Sequence, residues 1–350
     1  MNTVPEPMSS LPQLVRLLLA LLAAVLLVLG VALVQLNRPA PVPAFTAAEQ
    51  EAREGPPPPG SYRRPATAAP DTATLPRTAA GREIRYGRAL VANTAHYLGP
   101  AGTVAHLTNG LNCQNCHLQA GTLGFANNYL AVAATYPKLR ARSGTVEGIE
   151  KRVADCMERS LNGRAVADSS REMRAMVAYI KWLGQGIAKG KSLYGTGLTK
   201  LAYLPRAASP AVGRAVFATK CQSCHGPAGQ GQPLADGRGY QYPPLWGPHS
   251  YNDGAGLFRV ISLARYVKAA MPFGATFDHP QLTDAQAWDV AAFVNAQPRP
   301  HLATPRDWPD IRKKPIDCPS GPYADGFSQR QHKFGPFQPI ADAHPELAKR

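Results

Sequence analysis

Apolar residues first gather as a solid run, eighteen uncharged positions from Leu17 to Val34 between Arg16 and Arg38. A helix of that length and hydropathy reaches across the hydrocarbon of a bilayer, so residues 1–36 read as a transmembrane signal-anchor. The rival reading is a cleaved export signal, for which Val42-Pro43-Ala44 offers a small-residue site. Further on, the solid run gives way to helical periodicity. Residues 81–96 and 169–182 predict one pair of amphipathic helices, the second with Met173, Met176, Val177 and Ile180 on its apolar stripe and with Ser169 and Glu172 placed as a capping box. Residues 211–217 and a helix opened by Thr283 and Gln286 predict a second pair. The latter turns Val290, Phe293 and Val294 inward and stops at Pro298, and Gly213 is the candidate for close approach where that pair crosses. A shorter helix over 148–161, closed by Asn162-Gly163, puts Arg152, Cys156 and Ser160 on one face at i, i+4 and i+8.

Composition fills in the spaces between helices. Prolines crowd the stretch from Pro39 to Pro76, which has few large apolar residues and reads as an extended spacer, reaching as much as about 100 Å in a polyproline conformation. The 350 residues therefore divide into the anchor, a Pro-rich linker (37–78), a domain (79–190), a connector (191–208), a second domain (209–300) and a C-terminal strap (301–350). Frequent aromatics in the strap argue that it packs over the domains. The formal net charge of +15 favours small anionic substrates or an acidic redox partner. Nucleic acid is not expected as a partner, because the export segment takes the rest of the chain out of the cytoplasm.

Candidate chemistry lies between the helices of each pair. Cys113-Gln114-Asn115-Cys116-His117 and Cys221-Gln222-Ser223-Cys224-His225 have the spacing of covalent haem attachment, with two thiols one turn apart for the vinyl groups and an adjacent imidazole for the iron. Four of the six cysteines are thus anchors for two haem c groups. The fold class follows: mainly α, with two tandem class I cytochrome c domains. Attachment of haem c outside the cytoplasm agrees with the export segment and places the protein in the bacterial periplasm.

The second axial position of each iron separates a carrier from an enzyme. Met271-Pro272-Phe273-Gly274, forty-six residues beyond His225, is the loop that delivers a methionine to the second haem. No such loop follows the first haem; Cys156 stands in the equivalent stretch. Three readings stay open on spacing alone: Cys156 as a ligand with a lowered pKa beside arginines, Cys156 as an inert thiol or a disulfide partner of Cys318, and His96, His106 or Met157 as the sixth ligand.

Several segments together resemble the dihaem thiosulfate dehydrogenase family. They are residues 93–100 (Asn-Thr-Ala-His-Tyr-Leu-Gly-Pro), the attachment site at 112–118, Arg142-Ser143-Gly144, Arg152 with Cys156-Met157-Glu158-Arg159-Ser160, Tyr242-Pro243-Pro244-Leu245-Trp246-Gly247 and Met271-Pro272-Phe273-Gly274. The resemblance implies that Cys156 is the distal ligand of an active-site haem opposite His117, and that Arg142, Arg152 and Ser160 line the substrate pocket. Electrons then leave through a haem held by His225 and Met271. The implied reaction joins two thiosulfate anions into tetrathionate and passes electrons to a periplasmic or membrane acceptor such as a small cytochrome c. Ala270 departs from relatives that place lysine or asparagine there, so a constant His/Met pair at the second haem is expected. The competing readings are tetrathionate reduction, oxidation of another sulfur anion, and a non-catalytic electron carrier.

Overall fold

The computed structural model describes residues 11–36 and 69–348, with side chains in the first stretch placed at Val15 and residues 17–30. Helix α1, Leu11–Leu36, forms one unit and everything from residue 69 belongs to another. In α1, Leu17, Leu18 and Leu27 are exposed. The placed side chains cover only part of the apolar run, and among the described residues no helix is long and apolar enough to cross a membrane, so the expected anchor is not shown. Residues 37–68 of the spacer lie outside the described residues. Residues 69–78, where the spacer ends, pack against the first helix of the second unit: Arg85 Nη1 and Nη2 donate to the Leu75 and Pro76 carbonyls at 2.9 and 2.7 Å, and Leu75 is buried.

The second unit contains two crossed helix pairs. The first domain is built on α2 (Ala79–Ala92), α3 (Ile149–Arg159) and α4 (Arg171–Leu183), the second on α5 (Pro210–Lys220), α6 (Val260–Ala270) and α7 (Asp284–Ala296). A hairpin of β1 (Lys138–Arg140) and β2 (Thr145–Glu147) precedes α3. In each pair the backbones touch at a glycine. A Cβ on Gly213 would lie 1.9 Å from the Asp289 carbonyl oxygen, as the sequence pattern anticipates, and one on Gly87 would lie 1.9 Å from that of Ala175. Around these crossings Leu90, Met173, Met176 and Tyr179 fill one core, and Phe217, Val260, Trp288 and Ile340 fill the other.

Helix ends follow local chemistry, with two departures from expectation. Thr283 and Gln286 form the reciprocal cap, with Gln286 N donating to Thr283 Oγ1 at 3.2 Å and Thr283 N to Gln286 Oε1 at 2.9 Å. In the first domain the cap is Ser170 rather than Ser169: Met173 N donates to Ser170 Oγ at 3.1 Å, while Glu172 is drawn away to accept from Tyr86 Oη at 3.0 Å. The leading helix also ends earlier than its periodicity suggests. Asn93 leaves helical geometry, and Ala95 N is taken by Asn112 Oδ1 at 2.8 Å, so a separate turn, Thr94–Leu98, carries His96.

The seam between domains mixes polar contacts with apolar ones, among them Phe125 stacked on Phe277 at 3.8 Å. Asn252 N donates to the Arg159 carbonyl at 3.1 Å and Asn252 Nδ2 to the Asn162 side chain at 2.9 Å. From the strap, Asp317 accepts from Arg259 at 2.9 Å, and Phe337 and Ile340 enter the second core.

Candidate active site

Two carbonyls of the connector help fix the first imidazole before any cofactor is considered. Phe125 N donates to the Gly195 carbonyl at 2.7 Å and Asn127 N to that of Gly197 at 3.1 Å, holding Asn127 at a φ of 56°. The Asn127 carbonyl then meets His117 Nδ1 at 2.5 Å. With Nδ1 so engaged, Nε2 is the nitrogen left to bind a metal, and its orientation is set. Tyr129 backs the ring at a centroid distance of 4.4 Å.

Beside His117 lies a cavity of about 340 Å³, bounded by Cys113, Arg152, Cys156 and apolar side chains including Val91, Val132, Ile149 and Met176. Cys156 and His117 both line it, and His117 is one of the groups that lower the Cys156 pKa. An attachment thiol and an oriented imidazole around an apolar hollow fit a haem c, which Cys113 and His117 would hold.

Two thiols, Cys113 and Cys156, line this hollow, and their electrostatics and those of the neighbouring Cys116 diverge. Burial pushes Cys113 up to about 11 and Cys116 up to about 12. Burial pushes on Cys156 too, but Arg152 and the His117 contact outweigh it and bring the thiol down to about 7. The effect is mutual, because the largest influence on Arg152 is Cys156, which raises its pKa against the cost of burial. Cys156 is therefore the thiol poised to become a thiolate near neutral pH. Cys156 and Cys318 are both free, which removes the disulfide alternative. Met157 is fully buried in the first core and also lines the hollow. His96 packs edge-on against Tyr97, and neither it nor His106 borders the hollow.

The other two residues expected at this site stand apart from the hollow. Ser160 caps α3, its amide donating to the Cys156 carbonyl at 2.8 Å, and it is not among the cavity-lining residues. Arg142 faces the seam: its Nη1 donates to the Gly254 carbonyl at 2.8 Å and lies 3.6 Å from Asp307, with Trp308 against it at 5.3 Å. Burial, with Arg159 adding to it, brings Arg142 down to about 10, still cationic at neutral pH. Asn127, Tyr129 and Lys138 were not singled out by the sequence, because a carbonyl acceptor and a ring contact leave no spacing signature.

At the second site His225 Nδ1 meets the Pro243 carbonyl at 2.8 Å, so this imidazole too presents Nε2. Burial lowers its pKa, favouring the neutral ring that a metal requires. Met271 follows the last residue of α6 and packs half-buried on the second core. Cys221 packs there too, so the residues that would hold the second haem share one hydrophobic neighbourhood. From α6, Tyr266 Oη donates to the Asn115 carbonyl at 2.9 Å, inside the first attachment loop.

Comparison with known proteins agrees with this division. Residues 104–188 match the model of the SoxA/TsdA cytochrome c domain and residues 210–298 that of cytochrome c. The thiosulfate dehydrogenase of Allochromatium vinosum is 40% identical over 240 residues, covering 67% of this chain and 85% of that protein. That of Psychrobacter arcticus is 36% identical over 250 residues, 71% of this chain and 73% of its own. Among solved structures, the as-isolated form of thiosulfate dehydrogenase (TsdBA) from Marichromatium purpuratum superposes with a TM-score of 0.63 at 31% identity, covering 71% of this chain; the chain spans about half of it, 52%. With two haem c attachment sites in two tandem cytochrome c domains, this chain belongs to the thiosulfate dehydrogenase family.

Proposed function

We propose that this protein oxidises thiosulfate, coupling two anions into tetrathionate at Cys156. The observation that carries this reading is the placement of one low-pKa thiol opposite an oriented imidazole, with Arg152 in the same wall. When bound, the two haems supply a pair of one-electron acceptors, ligated by His117 with Cys156 and by His225 with Met271. Arg152 attracts the first dianion and offsets its charge where the thiolate stands; two dianions repel each other with roughly four times the energy of a singly charged pair. Cys156 thiolate then bonds to the sulfane sulfur of one thiosulfate, with release of two electrons. The sulfane sulfur of a second thiosulfate attacks that same sulfur, the Cys156 sulfur leaves as thiolate, and tetrathionate departs. The first step takes a total charge of −3 to −1 plus two electrons, and the second conserves −3 on both sides.

The electrons continue to an external acceptor such as a small cytochrome c from the Met271 side, where Phe273 stands 86% exposed. Export to the periplasm is supported by the haem c sites, and membrane attachment rests on the uncharged run Leu17 to Val34 of the sequence alone. Electron paramagnetic resonance of the oxidised holoprotein tests the catalytic assignment. A low-spin thiolate signature is expected, lost in Cys156→Gly together with thiosulfate-dependent reduction of an artificial acceptor, while both haems stay attached. An unchanged spectrum with unchanged turnover sinks the assignment.

A further inference from the structure

A second and larger cleft, about 510 Å³, opens between the β1–β2 hairpin, the first half of α6 and the strap. Six cations, Lys138, Arg140, Arg142, Arg259, Arg265 and Lys313, border it against only two carboxylates, Asp310 and Asp317. Both carboxylates are engaged. Asp317 accepts from Arg259 Nη1 at 2.9 Å and from the Ile261 amide at 3.2 Å, while Asp310 holds Arg312 at 2.9 Å and Lys313 at 3.3 Å. Arg142 is committed to Asp307 and the Gly254 carbonyl.

Two donors are left over. The Nε of Arg265 and the Nε of Arg259 have no hydrogen-bond partner among the described residues, and of the two only Arg259 is otherwise engaged, through Nη1 to Asp317 and Nη2 to Ser262 at 2.9 Å each. A buried guanidinium N–H without an acceptor carries a desolvation penalty that an oxyanion removes, and the planar fork of arginine suits oxyanions in particular. Lys138 borders both this cleft and the Cys156 cavity. Desolvation, then the nearby Arg140 and Arg152, lower its pKa, and Arg140 itself lies 3.8 Å from Glu147.

We propose that this cleft is a holding site for a doubly charged tetrahedral oxyanion, gripped by Arg265 and Arg259, from which Lys138 leads into the Cys156 cavity. Identifying the anion as thiosulfate in the working enzyme rests on the proposed function; the site itself does not, because sulfate presents the same shape and charge without the reactive sulfur. The cleft keeps a second anion close while Arg152 serves the first.

Calorimetric titration of the holoprotein at low ionic strength, with sulfate as the probe, tests the site. One sulfate per chain is expected, bound about tenfold more weakly by Arg265→Gln and as in the wild type by Lys181→Gln, an exposed cation elsewhere on the surface. Steady-state turnover of Arg265→Gln is expected to show a thiosulfate KM raised about tenfold with kcat unchanged. Arg265→Lys, which keeps the charge and loses the fork, falls between the two and serves as the test variant if the glutamine form does not accumulate with both haems. Absence of sulfate binding by the wild type, or equal affinity in Arg265→Gln, overturns the proposal. Cys156→Gly titrated in parallel keeps the sulfate site, so a failure of the catalytic reading would show there as retained turnover, separately from the cleft.

Discussion

Arg159 and Asp307 meet through a two-pronged pair, Nη1 to Oδ2 at 2.9 Å and Nη2 to Oδ1 at 2.8 Å. Arg159 is the last residue of the helix that presents Cys156, and Asp307 belongs to the strap, so a segment without any motif fixes the end of the helix that bears the chemistry. The same carboxylate lies 3.6 Å from Arg142. Asp307 is thus the hub that keeps two arginines turned toward the seam.

Removal of that hub has a defined cost. Breaking a buried pair by deleting one partner costs about 3–5 kcal/mol, and the residual exposure of this pair lowers the expectation to about 2–3 kcal/mol for Asp307→Ala. Thermal unfolding of the holoprotein measures it, with Arg159→Met plus Asp307→Leu expected to recover most of the loss. A single variant as stable as the wild type would show that the strap does not brace α3.

Arg152→Gln is expected to move the acid limb of the activity profile upward. With Arg152 present the Cys156 thiol titrates at about 7, so thiolate predominates above that pH and activity falls below it. Taking away the guanidinium leaves burial as the dominant influence, which raises the pKa; an iron bound to sulfur draws the limb to lower pH in both forms. The rate constant kcat/KM, measured from pH 5 to 9, is expected to fall by about tenfold to a hundredfold at neutral pH. An acid limb at the same pH in both proteins contradicts the role given to Arg152.

Gly87→Ala and Gly213→Ala are each expected to block the crossing of their helix pair. A methyl group whose carbon would sit 1.9 Å from a carbonyl oxygen has to displace backbone, not a side-chain tip, at a cost of about 3 kcal/mol or more. The yield of protein carrying both haems and its melting temperature report the effect. Full yield with an unaltered melting temperature would mean the helices separate there at little expense.

Ser170→Ala is expected to cost about 1 kcal/mol, and Ser169→Ala close to nothing, because only Ser170 caps Met173 N. Denaturant unfolding of the two variants separates them, and the reverse order would restore the cap to Ser169.

Both attachment sites, the helix pairs, the cap at Thr283 and the crossing at Gly213 were legible because each depends on residues close in sequence or on a fixed period. The shared helix face of Cys156 and Arg152 was legible from spacing, which alone left the role of Cys156 open. Other features depend on partners far along the chain. Asn127 orients His117 only because the connector at Gly195 and Gly197 holds it, and Arg142 turns to the seam because Asp307 and Gly254 wait there. Ser169 and Ser170 are equally good caps in isolation; Tyr86, 86 positions from Glu172, takes the carboxylate that would complete a box.

The hydroxyl of Tyr266 reaches the Asn115 carbonyl between residues 151 positions apart in sequence. Asn115 sits between the two thiols of the first attachment site, and Tyr266 lies on α6 five residues ahead of Met271, which follows the helix end. One hydrogen bond and about a turn and a half of chain therefore separate the first attachment loop from the methionine proposed for the second haem. Separating the domains would break that link between the two sites.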